Sequence, residues 1–419
     1  MREAMTKQQT PQSSPQASPD EPNIAGFGAA GGRWALVTGT IGIAALMAAA
    51  ALSYGRAADF QGFLYAYLTS FLFFVTISLG ALFFVLLQHL TRAGWSVVVR
   101  RIAELLAGNI VILSVLALVI VIPTLMGSGT LYVWADSAKV LADETLRAKA
   151  GYLNGPFFAV RIVAYFAVWV WLARYYLGRS AAQDATGDAS LTTAMEKRSA
   201  PAMVGFALTV TFAAFDLIMS LDPLWYSTIF GVYVFAGCAV AFFAALALLM
   251  MLFEQGGRLR RIVTVEHYHD VGKLLFAFVF FWGYIAFSQF LLIWYANIPE
   301  ETRWYRLRFA GGWLVMAVVL LFGHFLVPFA GLLSRAAKRQ KVQLAFWSTC
   351  LLVMHYVDLY WLIVPNQHAR GVPFGLVDLL CLAGLAGLYV AGFLILGRKR
   401  LLVPVRDPRL SESIDFENI

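Results

Sequence analysis

Ten runs of apolar residues, each about 20 residues or longer, set the terms for this chain. They lie at roughly 34–54, 61–88, 103–125, 156–178, 200–222, 226–253, 269–296, 307–334, 344–364 and 375–397. At about 1.5 Å of rise per residue, each is long enough as an α-helix to cross the hydrocarbon of a bilayer. The class this predicts is an all-α polytopic membrane protein. Of the 419 residues, 60% are hydrophobic and 13% charged. A soluble domain is nearer half apolar and a quarter charged, so a single soluble core is excluded.

Flanking segments fix the expected topology. Residues 1–33 are rich in Gln, Ser, Pro and Gly, which cannot bury a core and read as a disordered tail. They lack the basic start and apolar core of a signal peptide. Ten spans at 34–397 put this tail and the C-tail at 398–419 on one face. That face holds most of the 32 Lys and Arg, in the tails and in the loops near residues 92–101, 174–198, 258–261 and 335–341. The opposite face holds Arg56, Lys139, Arg147, Lys149, Arg303, Arg306, Arg308 and Arg370. Basic residues favour the cytoplasmic side, so both termini are expected there, with odd-numbered spans running outward. The net charge of +8 thus follows from topology and does not imply nucleic acid.

The cysteines, Cys238, Cys350 and Cys381, form no CxxC or CxxCH. Neither a cysteine-ligated cluster nor covalently attached haem is encoded, and small packing residues are expected. In the long outer loop, 126–155, the spacing of Val133, Val140, Leu141 and Leu146 predicts an amphipathic or plain connecting helix.

Two spans echo each other. The fifth ends "DLIMSLDP" and the ninth "DLYWLIVP", so Asp216 and Asp358 each precede a proline, Pro223 and Pro365, by seven residues. Both lie in the outer half, about two turns before the helix end. The interval fits a duplicated four-helix unit, spans 2–5 and 6–9, with spans 1 and 10 outside, a pattern common in membrane proteins that carry ions or protons.

Ionisable residues inside spans are expensive, at about 2.5–3.5 kcal/mol near a helix centre, so each needs a reason. Arg161 on the fourth span matches the depth of Asp216, and a buried ion pair between them could be a static clamp or part of a proton path. His324 and His355 lie near mid-depth on antiparallel neighbours, with Asp358 three residues beyond His355 on the same face. A proton relay, a hydrogen-bonded core pair and bis-histidine ligation of one haem b all remain open. At the inner start of the seventh span, "VEHYHDVGKLLFAF" gathers His267, His269, Asp270 and Lys273. This could be an interfacial helix start or the mouth of a proton path, and a metal is disfavoured by the adjacent Lys. Tyr284 and Ser288, four apart, could extend a hydrogen-bonded chain along that helix or simply glue helices. No span is broken by Gly or Pro at mid-depth, so the usual pointer to a charged-substrate pocket is missing. Inner and outer polar groups with histidines between them suggest two half-pathways rather than a pore.

The stretches "SLDPLWYSTIFGVY", "HYHDVGKLLFAFVFFWGYIAFSQFLLIWYANIPEET" and "VMHYVDLYWLIVPN" resemble the F-type membrane subunit of bacterial alternative complex III, as do "GYLNGPFFAVRIVAYFAVW" and "HLTRAGWSVVVRRIAE". The resemblance spans roughly residues 60–366. It implies an NrfD-like, polysulfide-reductase-type subunit of a quinol:cytochrome c oxidoreductase in the bacterial inner membrane. The implied fold is ten helices in two four-helix bundles. The subunit would carry no prosthetic group of its own. A quinol or menaquinol would be oxidised in the complex, and haems and iron–sulfur clusters would sit in partner subunits. Those partners would be an NrfD-like quinol-oxidising subunit, an iron–sulfur subunit, c-type haem subunits and in some cases a terminal oxidase. The resembled subunit is often named quinone-binding and has been proposed to conduct protons through half-channels, and its motif acids fall on Asp216, Asp222 and Asp358, with His269, Asp270 and Lys273 inside. The family usually reads Asp-Pro-His-Trp where this chain has Asp222-Pro223-Leu224-Trp225, so one ionisable group is missing at the outer end. A stand-alone secondary transporter is the reading from a different class.

Overall fold

A computed structural model describes residues 23–57, 60–369 and 371–418. Ten helices are long and apolar enough to cross a membrane: Gly28–Arg56, Gln61–Leu90, Val97–Leu125, Gly155–Thr186, Ser190–Leu221, Phe230–Gln255, Val265–Ala296, Gly312–Leu333, Lys341–Asn366 and Leu376–Gly397. We number these spans one to ten. Among the described residues there is no strand, only an isolated bridge between Asn23 and Arg258. The chain is an all-α, multi-pass membrane-type protein. Both described ends lie at one end of the helix array, called here the terminal pole, since Leu402 N–H donates to the Ile24 carbonyl at 2.9 Å.

Span one starts at Gly28, earlier than the sequence suggested, because the segment before it is tied down. Phe27 is buried against the rings of Phe253 and Phe393, and its N–H donates to the Gly397 carbonyl at 3.2 Å. Satisfying a last-turn carbonyl of span ten while burying an aromatic ring orders residues whose composition reads as disordered. Residues 1–22 of the expected tail, and Arg370, lie outside the described residues.

Spans one and ten pack along each other. Glycines permit this: a Cβ on Gly42 would lie 2.6 Å from the Gly384 carbonyl oxygen, and one on Gly387 2.5 Å from that of Thr38. Spans two, three, four and five contact one another in a ring, and so do six, seven, eight and nine. Spans two and six are the most enclosed and pack on each other, and span two also meets nine and ten.

Several elements depart from expectation. Span three is interrupted at Asn109 and Ala117, and Asn109 turns its amide to the Tyr389 carbonyl of span ten at 2.7 Å. Span eight holds a π-helical turn at Leu321–Leu326, a feature frequent at functional sites. The expected start of span eight at 307 belongs instead to a separate helix, Pro299–Arg308, which a turn at Gly311 (φ 56°) divides from Gly312. The expected single helix in the 126–155 loop is two short ones, Ser137–Ala142 and Glu144–Lys149, N-capped by Asp136 and Asp143. Strong caps in mid-segment overrode the apolar spacing, leaving Leu141 exposed while Leu146 is buried.

Candidate functional site

Asp216, near the end of span five, is fully buried. Arg161 on span four grips it with Nε–Oδ2 at 2.8 Å and Nη2–Oδ1 at 2.9 Å, and Tyr165 donates to Oδ2 at 2.8 Å. A third guanidinium N–H, on Nη1, reaches the Tyr152 carbonyl at 2.9 Å, and the rings of Tyr152 and Phe157 lie 3.8 and 4.4 Å from the guanidinium carbon. The loop at 126–155 seals the group. Tyr132 donates to the Leu217 carbonyl and Trp134 to that of Ser220, at 2.9 and 3.0 Å. Both carboxylate oxygens and three of the guanidinium N–H groups face fixed partners, which is the geometry of a clamp.

Asp358, its counterpart on span nine, is equally buried but differently partnered. Tyr233 of span six donates to Oδ1 at 2.5 Å and Trp282 of span seven to Oδ2 at 3.2 Å. No cation pairs with it among the described residues. A carboxyl held by neutral donors can take up and return a proton at far lower cost than one locked to a guanidinium.

The ring of Trp282 also packs against His324. The two rings lie 4.1 Å apart, the π-turn of span eight places His324 at the core, and His324 lies 6.3 Å from His355 by ring centroids. His355 then reaches across to span two, where Nε2 is 2.8 Å from Thr76 Oγ1. Thr76 Oγ1 also lies 2.9 Å from the Phe73 carbonyl, so its one proton can serve either the carbonyl or His355. The His355 Nδ1 points away from Thr76. That Nδ1 and both nitrogens of His324 have no protein partner among the described residues. Ser348, buried with its hydroxyl also unpartnered, lies seven residues before His355 on the same face of span nine.

At the terminal pole the expected cluster is present but divided. His267 accepts from the Thr264 N–H at 3.0 Å, so its Nε2–H donates to the Ser413 carbonyl, also at 3.0 Å. With both nitrogens committed it caps the helix and holds the C-tail. Asp270 and Lys273 form an ion pair, and Lys273 also donates to Asn418 at 2.8 Å. His269 is buried with Nδ1 unpartnered. Tyr284 is 57% exposed on the apolar outer surface, among Phe280 and Phe287, so it does not extend an internal chain. Ser288, four residues on, is only half-buried on that side of the helix. The inward positions of span seven belong to Trp282 and Gln289. Asp222, at the opposite pole, accepts from the Leu224 N–H at 3.3 Å and lines a polar cleft with Arg303 and Arg306.

Two buried clusters were not anticipated. Arg100, Arg101 and Glu104 read as a charged loop and helix start, yet all three are buried. Arg101 binds Glu104 at 2.8 Å and Asp184 at 2.7 Å, and Arg100 pairs with Asp407 of the C-tail. The i, i+3 and i, i+4 spacing of these charges was the available signal. Arg308 is also fully buried, stacked 3.6 Å over Trp304 and donating to the Leu362 carbonyl at 2.6 Å. Burial disfavours its charge, and the carboxylate of Asp222 works in its favour.

The site does not fit a haem held by His324 and His355. Trp282 covers one imidazole, the Nε2 of the other lies against Thr76, and both residues are buried. Among the described residues no three His, Cys, Asp or Glu side chains gather as a metal site. No protein-family model matches the chain, and no curated protein matches it.

Proposed function

We propose that this chain is an integral-membrane subunit of a respiratory quinol:electron-acceptor oxidoreductase of the alternative complex III type, and that it supports proton movement across the bilayer. The observation that carries the reading is buried Asp358, held by the neutral donors Tyr233 and Trp282, beside the buried imidazoles of His324 and His355. Buried ionisable groups of this kind are retained in hydrocarbon where they serve a path. The helix neighbours read as two four-helix bundles, spans 2–5 and 6–9, and His355 with Thr76 joins one to the other. The terminal pole is then the cytoplasmic face of a bacterial inner membrane, where His269, Asp270 and Lys273 form the entry. Asp358 is the proton-exchanging carboxyl, and the Arg161–Asp216 pair is the clamp that holds the other bundle rigid. The electron carriers and the quinol-oxidising machinery belong to partner subunits.

The test is proton release per electron in vesicles holding the assembled complex. Asp358→Asn lowers it while Asp216→Asn, where assembly survives, does not. Unchanged stoichiometry in an assembled Asp358→Asn complex removes the proposal. Solute uptake by the isolated chain would favour a transporter instead.

A further inference from the structure

At the pole opposite the termini, four span ends surround a cavity of about 380 Å³. Arg56 closes span one, Gln61 opens span two, Gln367 follows span nine and Gly375 precedes span ten, and all four line it. Span ends lie at the level of the head groups of a bilayer. The surroundings suit that depth. Tyr54 and Phe60 stack on each other with ring centroids 5.2 Å apart, and both are exposed next to the lining residues, as are Phe374 and Leu376. Exposed aromatic side chains at span ends mark the boundary between hydrocarbon and head groups.

The polar groups of the cavity are graded from rim to floor. Arg56 and His368 are exposed at the rim. Tyr65, Tyr360 and Asp378 are buried at the floor. The Tyr360 hydroxyl has no partner among the described residues, although the residue is only 2% exposed. Its ring is held between those of Trp313 and Phe374, at 6.0 and 5.7 Å, so the hydroxyl stays aimed where it is. A buried hydroxyl without a partner calls for one. Asp378 accepts the Gly375 N–H through Oδ2 at 2.9 Å as part of the cap of span ten. Arg56 is the one guanidinium of the lining and Asp378 its one carboxyl. Among the described residues neither joins an ion pair.

A bare anion would be repelled by the floor, and a bare cation by the rim. A group that carries both charges, with the cation inward and the anion outward, satisfies both. We infer that this cavity binds the head group of a zwitterionic lipid ending in a primary ammonium, the chemistry of a phosphoethanolamine. The ammonium goes inward to Asp378, the phosphate oxygens take Arg56 and the Tyr360 hydroxyl, and the acyl chains leave past Phe60, Phe374 and Leu376. A primary ammonium offers three N–H donors to a carboxylate, and a quaternary one offers none. A free phosphoethanolamine carries the same charges, but the exposed apolar rim favours the lipid as its source. None of these residues belongs to the proposed proton path.

The experiment gives the full chain, purified in mild detergent, equal amounts of phosphatidylethanolamine, phosphatidylcholine and phosphatidylglycerol with identical acyl chains. Native mass spectrometry reads the lipid retained. The ethanolamine lipid should be retained about 10-fold over the other two, the worth of one charge-assisted hydrogen bond. Asp378→Asn, whose amide oxygen can still cap span ten, should bring it level with the choline lipid. Tyr360→Phe should weaken it about 5-fold. Arg56 is exposed, so Arg56→Gln spares the fold. It should lower retention of the ethanolamine and choline lipids together and keep their ratio. Misfolding cannot mimic a loss of selectivity in one variant and a loss of affinity alone in another. Equal retention of the three lipids by the wild type overturns the inference, as does selectivity that survives Asp378→Asn. Where Asp378→Asn does not fold, an Arg56→Gln chain that retains both lipids undiminished overturns it instead. Displacement of the lipid by an equal concentration of glycerophosphoethanolamine overturns the lipid source and gives the cavity to a free solute.

Discussion

Removing the Asp216 carboxylate is the sharpest test of how the first bundle is held. The side chain accepts three hydrogen bonds, two of them from the guanidinium of Arg161. In Asp216→Ala the guanidinium stays in place, 8% exposed, with one carbonyl acceptor and two ring faces left. Breaking one side of a buried pair costs about 3–5 kcal/mol, most of it the stranded charge. Replacing both partners with apolar side chains, Arg161→Met with Asp216→Leu, removes the charge together with its partner. The double variant should then lie within about 1 kcal/mol of the wild type; with each single variant costing about 3–5 kcal/mol, the coupling energy is at least about 5 kcal/mol. Equilibrium unfolding of the purified chain in mild detergent, run as a double-mutant cycle, measures it. Additive losses, or a single-variant loss below about 1 kcal/mol, would refute the clamp.

Other outcomes follow from the same geometry. Gly237→Ala places a Cβ 2.9 Å from His355 Cε1, so the imidazole must move off Thr76. Such overpacking costs about 1–3 kcal/mol, and the displacement is read as a changed His355 imidazole NMR shift. Deleting residues 410–418 removes Ser413 from His267 and Asn418 from Lys273, so amide exchange should accelerate across the first turns of span seven while spans one and ten keep their protection. Asp143→Ala removes the cap on the Thr145 and Leu146 N–H groups and should cost about 1 kcal/mol, measured by thermal unfolding, without altering proton release.

The ten spans were legible because a helix in hydrocarbon announces itself by length and apolarity, and only their ends moved. The Arg161–Asp216 contact was legible for a related reason: consecutive antiparallel spans must meet, and matched depth then brings a lone Arg and a lone Asp together. The His324–His355 approach followed from the same logic. What the sequence concealed is direction around the helix axis. Tyr284 and Trp282 differ by two positions, yet one faces outward and the other hydrogen-bonds Asp358. In a span that is apolar on every side, no amphipathic stripe tells them apart. Tyr233 is hidden likewise in an aromatic run, and Arg308 reads as a loop charge because its burial depends on Trp304 folding over it. The π-turn that aims His324 has no signature beyond Gly323 beside it. The seven-residue Asp-to-Pro echo located both aspartates, but it could not say that one would receive an arginine and the other a tyrosine and a tryptophan.

The most direct measurement is the infrared difference spectrum of the complex between its resting and turning-over states, read in the carboxyl C=O stretching region. The account predicts a band that Asp358→Asn abolishes, that Tyr233→Phe shifts by removing the donor at 2.5 Å, and that Asp216→Asn leaves alone. A spectrum in which Asp358→Asn changes nothing, or in which the band belongs to Asp216, would contradict it.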